Sequence, residues 1–404
     1  MTARRIVLLF DGTWNKPESH TNVERLRRLI AAQDAAGVEQ IVDYIAGVGV
    51  APGLNHLLGG AFGYGLSGNV MEGYRRLCEK WQPGDDVYLF GFSRGAYTAR
   101  SLGGLIRKCG LLKHSAGGRV AKTAISEAYD FYRDTAIQPD DPAAQDFRAK
   151  HSVEIGIHFI GVWDTVGSLG IPDTASWFPF ARSSYQFHDT ELSKIVRYAY
   201  QALALDEHRA DFAPTVWTRN PDSVKPGETL TSKKLEQIEV EQRWFIGAHA
   251  DVGGGNDHDG AGRKPDPLPE LPLAWLQRKA MAAGLGCNEI VFPSADADSG
   301  VPRNSYAEFM GGIYKEFTPP FDRTLGSGVN ETVDDSVWQR WYDDASYRSP
   351  SLVQALARSV LLLPVDPSLR QETSDDPTPV TEVLAATQVD VTLLDVPVPN
   401  TGAP

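Results

Sequence analysis

DDVYLFGFSRGAYTAR, residues 85–100, decides how the chain is read. Its first six residues form a short apolar run with the composition of a buried strand. GFSRG, residues 91–95, follows at the spacing G-x-S-x-G, and Ala96, Ala99, Leu102 and Ile106 then recur near helical spacing. A serine on a sharp strand-to-helix turn projects its Oγ outward, and the flanking glycines let so tight a turn pack closely. As a bare five-residue pattern GFSRG equally describes an ordinary glycine turn. The strand before it and the helix after it favour a nucleophile at Ser93.

Outward from this stretch, short β-branched runs alternate with helical patterns, the signature of a mostly parallel sheet covered by helices. The expected strands are RIVLLF (5–10), IVDYIA (41–46), DDVYLF (85–90), IGIHFIGVW (155–163) and QRWFIGA (242–248). A first helix is expected to begin at Thr21, where T-N-V-E offers a capping box. Further helices are expected at 69–81, with Val70, Tyr74, Leu77, Cys78 and Trp81 on one stripe, and near 119–134; QPDDPAAQD (138–146) reads as a surface loop. The aromatic, irregular segment 170–190 reads as an excursion at a strand end, where binding sites are often built. Beyond Pro364 the chain turns rich in proline, threonine and aspartate, a peripheral tail in which QVDVTLLDV offers an edge strand or a docking segment.

A serine at its free pKa is a poor nucleophile and needs a histidine base with an acid to orient it. Of 9 histidines, His249 follows a strand and precedes the turn ADVGGG, and upstream of it Asp164 closes IGIHFIGVW. Serine, acid and histidine then occur in the chain order that goes with this type of turn. His188, His208 and His258 sit in an aromatic loop, in the helical-looking ALALDEHR and in a polar loop, and are read as structural or solvated. Asp251 is the rival acid, better suited to accepting backbone N–H bonds in its own loop. The N–H of Arg94 is the expected first oxyanion donor; the N–H of Gly12 or Thr13, in DGTWN after the first strand, is the expected second, with Asp11 bracing that loop.

Two other patterns are weak. GYGLSG (63–68) matches a dinucleotide-binding fingerprint but follows no clear strand, and the acidic cluster in DVGGGNDHDG (251–260) has no EF-hand spacing. Neither cofactor nor metal is expected. The chain has 404 residues, 42% of them hydrophobic, and 52 acidic against 39 basic residues give a net charge of -13. That balance argues against nucleic acid as a partner and against a polybasic membrane-binding face. Three cysteines, Cys78, Cys109 and Cys287, make no disulfide framework and fit a reducing compartment. The apolar run at the N-terminus is too short for a signal peptide and no stretch is long enough to span a membrane, so a cytoplasmic location is the default expectation. Oligomeric state is not legible.

The segments FDGTWN (10–15), GGAFGYGL (59–66), GDDVYLFGFSRGAYTAR (84–100), GVWDTVGSLG (161–170), ALALDEHRADFAP (202–214), WFIGAHADVGGG (244–255) and LPLAWLQRKA (271–280) carry a resemblance. In that order they resemble the α/β-hydrolase family of type VI secretion phospholipase effector catalytic domains, formerly a domain of unknown function. The chain departs from the family pattern at Asn256 and matches it poorly after about residue 300. The resemblance implies an α/β-hydrolase-like three-layer sandwich; with the irregular segment and the tail read from composition, the expected organisation is a catalytic domain over residues 1–363, with a cap or loop insertion at about 170–235, and a peripheral tail at 364–404. It also implies a serine–aspartate–histidine triad on Ser93, Asp164 and His249, hydrolysis of an acyl ester of a lipid or phospholipid, transient contact with a membrane surface, and delivery without a signal peptide. A carboxylesterase or polyester hydrolase is the alternative within the same chemistry; a catalytically silent binding module is the alternative outside it. LNHLLGGAFGYGL (54–66) reads as either a lipid-facing flap or buried core.

Overall fold

Strand β1 (Arg5–Phe10) is buried along almost its whole length, Ile6, Leu8 and Phe10 facing one layer of core and Val7 and Leu9 the other. A strand covered on both faces reads as a continuous apolar run, the mark of the middle of a parallel sheet. A computed structural model describes residues 3–13, 15–47, 59–114, 118–167, 192–218, 238–255, 266–358 and 378–379. Beside β1 lie β2 (Gln40–Ile45) and β3 (Asp86–Phe92), both parallel to it. A short antiparallel ribbon pairs β4 (Leu111–Leu112) with β5 (Ser152–Val153) apart from the main sheet. The main sheet continues through β6 (Ile157–Trp163), β7 (Val196–Ala204), β8 (Glu239–Phe245) and β9 (Glu331–Val333), and ends in the two-residue β10 (Thr378–Pro379). Its order is β10-β9-β8-β7-β6-β3-β1-β2, parallel throughout except for the β10–β9 pair.

Helices cover both faces and make the fold a three-layer α/β sandwich. On one face α2 (Gly59–Lys80), α3 (Arg94–Cys109) and α4 (Lys122–Arg133) bury Val70, Tyr74, Leu77, Leu102, Ile106 and Ile125 against β1, β3 and β6. On the other, α1 (Asn22–Leu29) and α7 (Glu270–Ala282) bury Val23, Leu26, Leu273 and Leu276 against Tyr88, Phe90 and Phe159. Fully burying one such side chain is worth about 1.5–3 kcal/mol, so the two layers hold the sheet firmly. A third core joins Trp244 of β8 to Trp338 and Trp341 of α8 (Asp335–Asp343) and Leu352 of α9 (Pro350–Ala357). Thr21 caps α1 by accepting the Glu24 N–H at 3.3 Å, but the Glu24 carboxylate turns to Arg27 and Arg28 instead of closing a capping box.

Three readings of the sequence change. β7 falls inside the span assigned to a cap and lies between β6 and β8. ALALDEHR is therefore the end of a strand and the turn after it: an Ala/Leu run buried from both sides loses the alternation that identifies exposed strands. The loop at QPDDPAAQD is helical in its second half, where Pro142 opens α5 (Pro142–His151), a position that suits proline's fixed φ and missing N–H. GYGLSG, the weak dinucleotide match, lies inside α2, where its backbone is helical and not the strand-to-helix turn of a dinucleotide loop. The rest of the cap span (170–191 and 219–235), residues 54–58, His188, His258 and the expected edge strand QVDVTLLDV lie outside the described residues.

Candidate active site

Phe92 ends β3 and Arg94 begins α3, so Ser93 alone makes the turn, at φ 58° and ψ −123°. A side-chain-bearing residue there is strained by about 1–3 kcal/mol and persists only where its surroundings enforce it. They do so here through the glycines. A Cβ on Gly91 would lie 2.4 Å from the Gly95 carbonyl oxygen, and one on Gly95 would lie 2.2 Å from that of Phe10. The Ser93 N–H donates to the Trp163 carbonyl at 3.0 Å and its carbonyl accepts the Tyr97 N–H, tying the turn to β6 and to the first turn of α3.

Asp164 directly follows β6, also with a left-handed backbone (φ 42°), and is wholly buried. It is held from three sides. The Ala204 N–H donates to Oδ1 at 3.0 Å, the Arg323 guanidinium donates Nη1 to Oδ1 at 2.5 Å and Nη2 to Oδ2 at 2.9 Å, and Oδ2 lies 2.6 Å from His249 Nδ1. Burial by itself would raise this carboxyl, but the Arg323 charge and the His249 and Arg323 hydrogen bonds outweigh it and hold Asp164 well below the ordinary range. An ionised carboxylate only accepts, so His249 Nδ1 carries the proton and the neutral ring's Nε2 is the acceptor.

His249 opens the short helix α6 (His249–Gly253), just past the end of β8. Its ring packs 4.7 Å from that of Phe92, the residue before Ser93, and edge-on to Phe212 at 5.0 Å. Gly253 permits the Phe92 position, since a Cβ there would come within 1.9 Å of that ring. The His249 N–H donates to Glu207 at 3.2 Å, and Glu207 also accepts from Arg209 and Ser305. Burial lowers the His249 pKa, with the Asp164 hydrogen bond opposing. Glu207 would be raised by burial, yet its Arg209 partner brings it down to about 2.

The Arg94 N–H is the first of α3, its would-be intrahelical acceptor lying before the helix starts. The loop after β1 reaches the same place: a Cβ on Gly12 would lie 3.4 Å from Ser93 Cβ. The Gly12 N–H, however, donates to Asp11 Oδ1 at 2.7 Å, which commits it to the brace. Asp11 also accepts from Thr21 and Tyr44, and burial raises its pKa against these bonds. Asp251 accepts the Ala248 and Arg303 N–H groups on Oδ2, and burial pushes it up to about 7. It shapes the loop that carries His249, while Asp164 is the carboxylate on the imidazole.

Sequence reasoning missed Arg323, Glu207 and Arg209. The last two lie in ALALDEHRADFAP, but Arg323 carried no local signal. His208 joins Asp322 at 3.2 Å, and its carbonyl accepts the Phe321 N–H. Among the described residues no three His, Cys, Asp or Glu side chains cluster to hold a metal ion, and no helix is long and apolar enough to cross a membrane.

Residues 4–279 match the family model described as T6SS, Phospholipase effector Tle1-like, catalytic domain. An uncharacterized protein of Saccharomyces cerevisiae, YEL023C, is 30% identical over 240 residues, which are 54% of this chain and 33% of that protein. The chain therefore spans about a third of the length of this curated relative. Among solved structures, it is similar to the Tle1 effector bound to the VgrG spike of the type VI secretion system, with 18% identity and a TM-score of 0.37, covering 65% of this chain and 53% of that one. An uncharacterized protein from Pseudomonas aeruginosa shows 16% identity and a TM-score of 0.39, covering 89% of this chain and 57% of that one.

Proposed function

Since the chain belongs to the family of Tle1-like type VI secretion phospholipase effector catalytic domains, we propose that it hydrolyses carboxylic acyl esters of lipids, phospholipids foremost, through an acyl-enzyme on Ser93. The observation that carries this reading is the 2.6 Å contact between His249 Nδ1 and a buried, arginine-held Asp164, on the imidazole that packs against the residue preceding a strained serine.

In the proposed reaction Ser93 Oγ attacks the ester carbonyl as its proton passes to His249 Nε2. Asp164 keeps the imidazole in the required tautomer and stabilises the imidazolium. The developing oxyanion accepts from the Arg94 N–H and, with Gly12 committed to Asp11, from the Thr13 N–H; each donor is worth about 3 kcal/mol of barrier. His249 then returns the proton to the leaving alkoxide. Water, deprotonated by the same base, attacks the acyl carbonyl, and the imidazolium gives that proton to Ser93 Oγ as the carboxylic acid leaves. Export through a type VI secretion machine belongs to the same reading.

The test is hydrolysis of p-nitrophenyl esters from acetate to palmitate beside phosphatidylcholine vesicles, comparing wild type with Ser93→Ala. Serine-dependent release of fatty acid from the phospholipid is expected. Turnover confined to short soluble esters would keep the triad and discard the lipid. Silence on every substrate, with Ser93 unlabelled by a fluorophosphonate, would leave a binding module.

A further inference from the structure

Arg323 is fully buried, and its guanidinium spans both oxygens of Asp164. It is fixed by its other bonds as well: Nη1 donates to the Ala204 carbonyl at 2.8 Å and Nη2 to that of Phe212 at 2.6 Å. The loop that carries it is stitched to residues 208–212 by the Phe321 N–H and by Asp322 on His208. Arg323 lies beyond the family-matched segment, which ends at residue 279.

We propose that Arg323 is a positioning residue for the Ser93–His249–Asp164 machinery, supplied by the part of the chain that follows the family-matched segment, and that it sets the pH at which His249 becomes the neutral base. The inference rests on the triad reading above. A carboxylate that shares its charge with a bidentate guanidinium gives less of it to a neighbouring imidazolium. His249 therefore loses its proton at lower pH than it would beside an unshared aspartate. Among the described residues, Glu207 on the His249 N–H favours the imidazolium and Arg209 disfavours it. The two oppose each other, leaving Arg323 as the cation on the acid itself.

The experiment compares Arg323→Gln and Arg323→Lys with wild type in the full chain. It reads kcat and KM for a p-nitrophenyl ester across about pH 5 to 9, and the titration of the His249 imidazole by NMR in 15N-histidine-labelled protein. For Arg323→Gln we expect kcat to fall about 10- to 100-fold with KM little changed, and both the acid limb and the imidazole titration to move up by about one pH unit. Arg323→Lys keeps a charge but loses the fork, so it should show the fall in kcat with a smaller pH shift. A folded Arg323→Gln with an unmoved limb and titration, whatever its stability, would overturn the proposal. If that variant does not fold, Arg323→Lys decides: wild-type kcat and an unmoved titration overturn it. Should Ser93 prove dispensable for turnover, the proposed function fails, while the imidazole titration still reads the Arg323 effect.

Discussion

The serine turn and the histidine–aspartate–arginine cluster lie against each other but are made in different ways. The first is local, one residue between β3 and α3, kept strained by two glycines that bring the backbones of α3 and β1 against it. The second joins residues 164, 249 and 323 from three strand ends and loops, and its order comes from paired buried charges. A local device stores strain, so its removal relaxes the protein. A distributed device balances charges, so removal of one member leaves another unpaired.

The sharpest test of that contrast is Ser93→Gly against Asp164→Ala. Ser93→Gly should abolish turnover, by about 10⁴-fold or more, yet raise stability by about 1 kcal/mol, because glycine adopts the observed φ without strain. The shift in urea midpoint reads this, and a destabilised variant would deny the strain. Asp164→Ala should lose about 10⁴-fold in turnover and also about 3–5 kcal/mol, since Arg323 would remain as an uncompensated buried charge. Unchanged chemical denaturation of that variant would break the comparison. Gly95→Ala should cost about 1–3 kcal/mol, because its Cβ meets the Phe10 carbonyl at 2.2 Å, and should lower activity as the turn shifts; thermal melting and ester hydrolysis together check it.

The smallest expected effect is in the pH profile. Burial lowers His249 from its ordinary value of 6.5, so the neutral base persists into mildly acidic solution and the acid limb of kcat/KM should lie below pH 6.5. The sign is the same for stability: a histidine whose folded-state pKa is depressed costs nothing above 6.5, and destabilises as pH falls through 6.5 toward the folded value. A limb above 6.5 would place another group in control.

Much of this was legible in the residues because it is local. β1, β3 and β6 announce themselves as apolar runs, and GFSRG sits where a strand run meets a helical period. Ser93, Asp164 and His249 could be nominated because Asp164 and His249 directly follow predicted strands and Ser93 follows one with two residues between, and the parallel sheet brings those strand ends to one edge. β7 was misread because VRYAYQALA is buried on both faces and keeps no alternation. The bond of the Gly12 N–H to Asp11 was hidden in the conformation of a single turn.

What the sequence by itself determined is therefore the alternation of strands and helices, the tight serine turn and the residues beyond three strand ends, since periodicity and glycine placement act within a few positions of the chain. Tertiary structure alone decided that Asp164 and not Asp251 meets the imidazole, and that Arg323 stands behind it. Those choices depend on which buried charges come within hydrogen-bonding distance across 85 and 159 residues of chain, and no local pattern encodes that.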